Sequence, residues 1–190
     1  MSVPVAGPSP FATPFRARTL VHPGPVAPLR LAHVAAHGQR QWRLQLAPGQ
    51  VLYAALTAAL AAQGVQAAAM TLLGGRLQTV AYCLPIPDPE GQVIATYGAP
   101  LVLHQAGLLR ASATLGRGLN GEPVIHCHAS FADAQGTVRG GHVLTERTVV
   151  GERPLAVLVT ALDGVDLQLS LDAETRLHML RPRALEVAHD

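Results

Sequence analysis

The run from Val124 to His142 constrains this chain more than any other stretch. It reads Val124-Ile125-His126-Cys127-His128-Ala129-Ser130-Phe131-Ala132, then Asp133-Ala134-Gln135-Gly136, then Thr137-Val138-Arg139-Gly140-Gly141-His142. The first part is rich in β-branched and apolar residues and predicts a strand over Val124 to Ala132. Side chains alternate faces along a strand, so His126 and His128 share one face, about 7 Å apart, and Cys127 takes the other. Asp133 to Gly136 predicts a reversal. The chain then returns antiparallel and carries His142 back beside the first two histidines. Three neutral imidazoles converging on one point make a divalent-metal site with one position open. A histidine in a strand is commonly a surface residue or a hydrogen-bonded core residue, and His-x-His alone fits that reading as well. The glycines before His142, which let backbone approach a site closely, favour the ligand reading.

Composition narrows the class. At 190 residues the chain is long enough to bury a real core within one domain. With 49% apolar and 14% charged residues it is not a disordered sequence. A net charge of +2 does not by itself argue for nucleic acid. All 14 basic residues are arginine, which excludes a Schiff-base lysine and a P-loop lysine. The 2 cysteines, Cys83 and Cys127, form no Cys-x-x-Cys, so no disulfide framework is expected and a reduced, cytoplasmic protein is the expectation. No basic region followed by an apolar core opens the chain. Val51 to Met70 carries no charge, but it is mostly alanine and is interrupted by Gln63, Gly64 and Gln66. It predicts a buried helix followed by a strand, not a membrane span.

Along the chain, residues 1–28 are rich in proline and glycine and read as an extended arm: a mobile tail in a monomer, or a strap over a neighbouring subunit in an oligomer. A domain over residues 29–183 and a tail over 184–190 follow. Leu29 to His37 and Gln41 to Ala47 predict short strands. Gln50 to Gln63 predicts a helix, because Leu52, Leu56, Ala59 and Leu60 recur at helical spacing and Gly64 supplies a stop. Strands are predicted over Gln66 to Leu73, Leu77 to Leu84, Gln92 to Tyr97, Leu101 to His104 and Leu108 to Leu115. After the histidine hairpin come Thr148 to Leu162, broken at Gly151 to Pro154, then Leu167 to Leu171 and a last strand over His178 to Leu180. Many strands and one clear helix predict a single α+β domain with a large, mainly antiparallel sheet.

The pattern His126, His128, Asp133, Gly136, Val138, Gly140, Gly141, His142 resembles the plant-and-prokaryote conserved (PPC) domain, whose members carry His-x-His, an Asp and Gly turn, and Gly-Gly-His. Pro48-Gly49, the helix, Gly64-Val65 and Gly75-Arg76-Leu77 are similar to the family's helix and following turn. The resemblance covers roughly Leu44 to Leu180. It implies a sheet of about seven strands flanked by one main helix, a homotrimer, and a metal, usually zinc, on His126, His128 and His142. Plant relatives carry AT-hooks and bind DNA, and prokaryotic members share the DNA-binding label. This chain contains no Arg-Gly-Arg-Pro hook, and it has Arg110 where members often place an acidic residue.

Three functions are compatible with these residues. One is a metal-binding assembly or regulatory protein. Another is an enzyme, a hydrolase or lyase, in which an open tris-histidine zinc lowers the pKa of bound water and takes a small ligand at its free position. Its acid–base partner would come from Glu122, Asp133 or Glu146, each of which also reads as a turn residue or a solvated charge. The third is DNA binding through the pairs Arg16 with Arg18 and Arg181 with Arg183, although such pairs are commonly solvated surface. Zinc is favoured by ligand type, while iron, nickel and copper also accept imidazole. Gly116 to Gly121 is not a dinucleotide loop, since no long helix follows it, and Ser112 and Ser130 lack a nucleophile-elbow context.

Overall fold

The computed structural model describes residues 21–26, 32–36 and 40–185. The strands are Gln41–Leu46 (β1), Ala68–Leu72 (β2), Gly75–Cys83 (β3), Pro85–Ile86 (β4), Thr96–Tyr97 (β5), Leu101–Arg117 (β6), Pro123–Ala132 (β7), Val138–Val143 (β8), Val149–Val150 (β9), Leu155–Ala161 (β10), Val165–Leu171 (β11) and His178–Ala184 (β12). One helix, Leu52–Ala61 (α1), follows β1. The α+β class with one helix and a large antiparallel sheet is as expected. The strand count is larger than the expected seven, because the two-residue strand β9 joins the sheet, β4 and β5 pair as a separate ribbon, and β11 and β12 form a further hairpin.

Helix α1 has no side-chain cap at Val51 and no acidic residue in its first turn. Only 10 residues long, it is below the length at which isolated helices hold in water. Packing holds it instead: Leu52, Ala55, Leu56 and Leu60 are buried in the main core. It ends as the glycine predicts. Val65 N donates to Leu60 O and Gly64 N to Ala61 O, which satisfies the last carbonyls. The charge-free stretch expected to be helix then strand is α1 followed by β2, and among the described residues no helix is long and apolar enough to cross a membrane.

Ten strands form one sheet in the order β1-β10-β2-β6-β7-β8-β3-β9, with β11 and β12 attached beside it. Pairing is antiparallel except at Gln168, which meets Arg117 of β6 in parallel. Strand β6 organises the sheet. Its 17 residues take β2 and then β3 along one edge and β7 along the other. Strand β3 also pairs with the end of β8, so the path β6–β7–β8–β3 closes on itself. This closure brings Cys83 opposite His142.

Several expected boundaries change. Leu101 to His104 and Leu108 to Leu115 are one strand, because Gln105 takes φ +56° and absorbs the irregularity without ending the ladder. Gln92 to Tyr97 is mostly loop, with only Thr96 and Tyr97 paired. Residues 32–36 are not strand; residues 29–31 and 37 lie outside the described residues, as do Arg16, Arg18 and most of the arm. The described piece of the arm rests on its own chain: Gly24 N donates to Glu174 O, and the His22 imidazole meets the Glu174 carboxylate.

The main core lies between α1 and the inner face of the sheet, with Leu56, Val80, Phe131, Val150 and Val157 fully buried. A smaller cluster, Ala67, Val165 and Leu167, sits under the added hairpin. The hairpin is also tied to β6 by a bidentate ion pair, Arg117 Nε and Nη2 on the two oxygens of Asp166.

Candidate metal centre

Strand β7 alternates strictly: Ile125, Cys127, Ala129 and Phe131 are buried, while His126, His128 and Ser130 are exposed. The same period-2 geometry that packs the core therefore lays two imidazoles side by side on the outer face. Asp133 makes the reversal. Its carboxylate accepts from the backbone N–H groups of Gln135 (3.0 Å) and Thr137 (2.9 Å) and from Arg139 Nε (3.3 Å). Those bonds, Thr137 foremost, hold its carboxyl below the usual range. Gly136 completes the turn at φ +80°, a region costly for residues with a Cβ. Strand β8 then returns in register, with His142 directly opposite His128.

The three rings converge. Centroids lie 4.9 Å apart for His126 and His128, 5.1 Å for His126 and His142, and 5.4 Å for His128 and His142. One ligand nitrogen from each can be chosen so that all lie within 4.8 Å of one another. Tetrahedral zinc with Zn–N near 2.0–2.1 Å holds its nitrogens about 3.3 Å apart, so small side-chain rotations close the set. The Nδ1 atom of His142 is buried and has no hydrogen-bond partner among the described residues, which leaves it in need of a partner. Burial holds the His126 imidazole below its ordinary pKa, with repulsion from His128 adding to it. Burial does the same for His142, helped by His126 and His128 and opposed by Glu146. Both effects favour the neutral form, which is the ligating one. The residues present thus fit a divalent metal held by three nitrogens, with a further position facing solvent.

Gly141 makes the convergence feasible. A Cβ there would lie 2.5 Å from the Cys83 carbonyl oxygen and 3.0 Å from the Tyr82 ring, so only glycine lets β8 close against β3.

Of the acid–base candidates, Asp133 is a turn former, as the bonds above show. The described hydrogen bonds of Glu122 are made by its backbone. Glu146 acts on His142 electrostatically. The sequence reading missed Tyr97, whose ring stacks on His142 with centroids 4.6 Å apart and planes 23° apart. No local spacing marks it, because the contact is made by the long-range closure of β8 on β3.

The fold and the cluster together define a class: an α+β domain with an antiparallel sheet and a tris-histidine group on its outer face. Residues 34–161 match the Plants and Prokaryotes Conserved (PCC) domain, and the chain belongs to that family. The fold is also that of solved structures of low identity. A metal-containing protein from Archaeoglobus fulgidus is 20% identical, with a TM-score of 0.64, and the match covers 80% of this chain and 99% of that one. A plant- and prokaryote-conserved protein from Pyrococcus horikoshii is 18% identical, with a TM-score of 0.60 and coverage of 77% and 94%. A candidate DNA-binding protein from Ralstonia eutropha JMP134 is 16% identical, with a TM-score of 0.59 and coverage of 73% and 89%. No curated protein sequence matches the chain.

Proposed function

We propose that this chain is a metal-binding, homotrimeric PCC-domain protein with a regulatory role, in which His126, His128 and His142 hold one divalent cation, preferably zinc. The observation that carries the reading is the convergence of three imidazole nitrogens within 4.8 Å on one exposed sheet face. The metal-containing A. fulgidus protein of the same fold supports it. The bound cation supplies a Lewis-acidic centre with an open position for a small ligand. The protein's own part is to present neutral imidazoles on two paired strands and to keep the thiol of Cys127 out of the set. Both cysteines are free and buried, which accords with a reducing, cytoplasmic setting. If trimer contacts form at the site, metal and assembly are linked by mass action.

Elemental analysis of purified protein tests the reading. About one zinc per chain is expected, with near-complete loss in His126→Ala and in His142→Ala. Wild-type protein that takes up no metal from added zinc overturns it.

The exposed, open face of the centre favours a second reading, a metal-dependent hydrolase or lyase, whose mark is turnover abolished by chelation. DNA binding has the support of the R. eutropha relative. Here Arg40, Arg117, Arg139 and Arg181 are each paired with a carboxylate, while Arg43, Arg76, Arg110, Arg147, Arg153 and Arg183 are exposed. Salt-dependent retention on DNA is the discriminating measurement.

A pH dependence follows from the lowered imidazole pKa values. Zinc affinity is expected to be flat from about pH 8 down to about 6.5 and to fall below that as the ligands protonate. In metal-free protein the sign for stability is the same. The unfolded histidines take up protons near pH 6.5, while His126 and His142 resist until lower pH. Stability is therefore fully present above about 6.5 and declines below it. Chelator competition and urea unfolding from pH 8 to 5 check both; a zinc affinity unchanged at pH 5 contradicts imidazole ligation.

A further inference from the structure

We propose that Tyr97 is the positioning residue for His142, and that the β11–β12 hairpin, acting through the loop that carries Tyr97, sets how tightly the centre holds its cation. The inference rests on the metal-binding reading above and adds a residue and a control point to it. A histidine ligand is ordinarily oriented by a hydrogen bond at its second ring nitrogen. Among the described residues no hydrogen bond orients His142 at either ring nitrogen, whichever of the two ligates. What pins its plane is the Tyr97 ring, stacked at 4.6 Å.

Tyr97 is itself held. It pairs with Pro85 in the β4–β5 ribbon, and Gly98 N donates to Leu84 O at 3.0 Å. Strand β4 continues from Cys83, the cross-strand partner of His142. The loop between β4 and β5 is tied internally by Asp88, which accepts from Gln92 N (2.7 Å), Val93 N (3.0 Å) and Glu90 N (3.3 Å). Its far side is fastened to the turn between β11 and β12. Ile94 N donates to Thr175 O at 3.0 Å, and Arg176 Nη1 donates to Gln92 O at 3.4 Å. That turn is rigid: the buried Asp172 accepts from the hydroxyl of Thr175 (2.5 Å) and from Arg181 Nη2 (2.7 Å). Arg176 holds φ +58° there, with its N–H on Asp172 O at 2.7 Å. The turn lies beyond residues 34–161, the stretch that matches the family. An element outside the residues matched to the family therefore supports, through one loop, the ring that aligns a ligand.

Zinc titration of the full chain against a chromophoric chelator tests this. Tyr97→Ala is expected to weaken zinc binding by about 10–100-fold, the usual cost of removing a residue that orients a ligand. Tyr97→Phe is expected to bind like wild type, because the ring and not the hydroxyl makes the stack. Arg176→Ala is expected to weaken binding several-fold, and to add nothing in a Tyr97→Ala background, since both act through one ring. In metal-free protein, Tyr97→Ala also shifts the His142 imidazole resonances and Tyr97→Phe does not. Wild-type zinc affinity in Tyr97→Ala, equal losses in both Tyr97 variants, or additive losses with Arg176→Ala each overturn the inference while leaving the metal site standing. A wild-type protein that binds no zinc removes the site itself, and the resonance shifts then report a stack with no ligand to align.

Discussion

Phe131→Ala is expected to lower the unfolding free energy by about 3–5 kcal/mol, the range for deleting a large buried aromatic side chain. Phe131 is 0% exposed and meets Tyr82 edge-on, with centroids 4.9 Å apart and planes at 71°. Such aromatic pairs add about 0.5–1.5 kcal/mol beyond area burial. The ring sits on the buried face of β7, three residues beyond His128, and Tyr82 lies on β3 opposite Val143 of β8. The pair therefore ties together from beneath the strands whose closure assembles the histidines above. The cavity has little room to collapse, because the surrounding backbone is held in ladders on both edges of β7. Urea unfolding measures the cost; a loss below about 1 kcal/mol contradicts this account of the core.

His128→Ala is expected to do the opposite: little to folding, much to metal. His128 is two residues from His126 and in register with His142. Its side chain is exposed, so truncation leaves no cavity. Structural zinc contributes about 10–16 kcal/mol over four ligands, or roughly 2.5–4 kcal/mol each, and one lost imidazole then costs about a hundred- to a thousandfold in affinity. Zinc at 100 to 1,000 times its Kd stabilises wild type by about 2.7–4.1 kcal/mol. For a chain of this length that raises Tm by roughly 5–15 °C. The variant is expected to show no such rise and to match the metal-free wild type within about 2 °C. An undiminished zinc-induced rise in His128→Ala removes this histidine from the site.

These two residues also mark what the sequence can disclose. Alternation along β7 and the Asp133–Gly136 reversal are local, set by side-chain period and turn chemistry, so both the buried place of Phe131 and the shared face of His126 and His128 follow from order alone. The return of His142 needed one further assumption, an in-register hairpin, which the glycines allow. Tyr97 was beyond reach, because its contact with His142 depends on β3 meeting β8, a pairing that no spacing announces. The continuity of β6 was hidden for a different reason: Gln105-Ala106-Gly107 looks like a break, and only the ladder with β3 carries the strand through it. The arginine pair at 181 and 183 read as free surface, yet Arg181 is committed to Asp172, a partner nine residues away in the turn of the hairpin.

The alternation of β7 has one more consequence. Cys127 projects into the core directly between the two histidines, and burial pushes its thiol pKa up to about 12. A sulfur this well protonated neither ligates nor oxidises readily. On β7 itself nitrogen and sulfur lie on opposite faces, so the Cys127 thiol is kept from any cation held by His126 and His128. In the proposed centre, one strand thus withholds a soft donor while offering two harder ones.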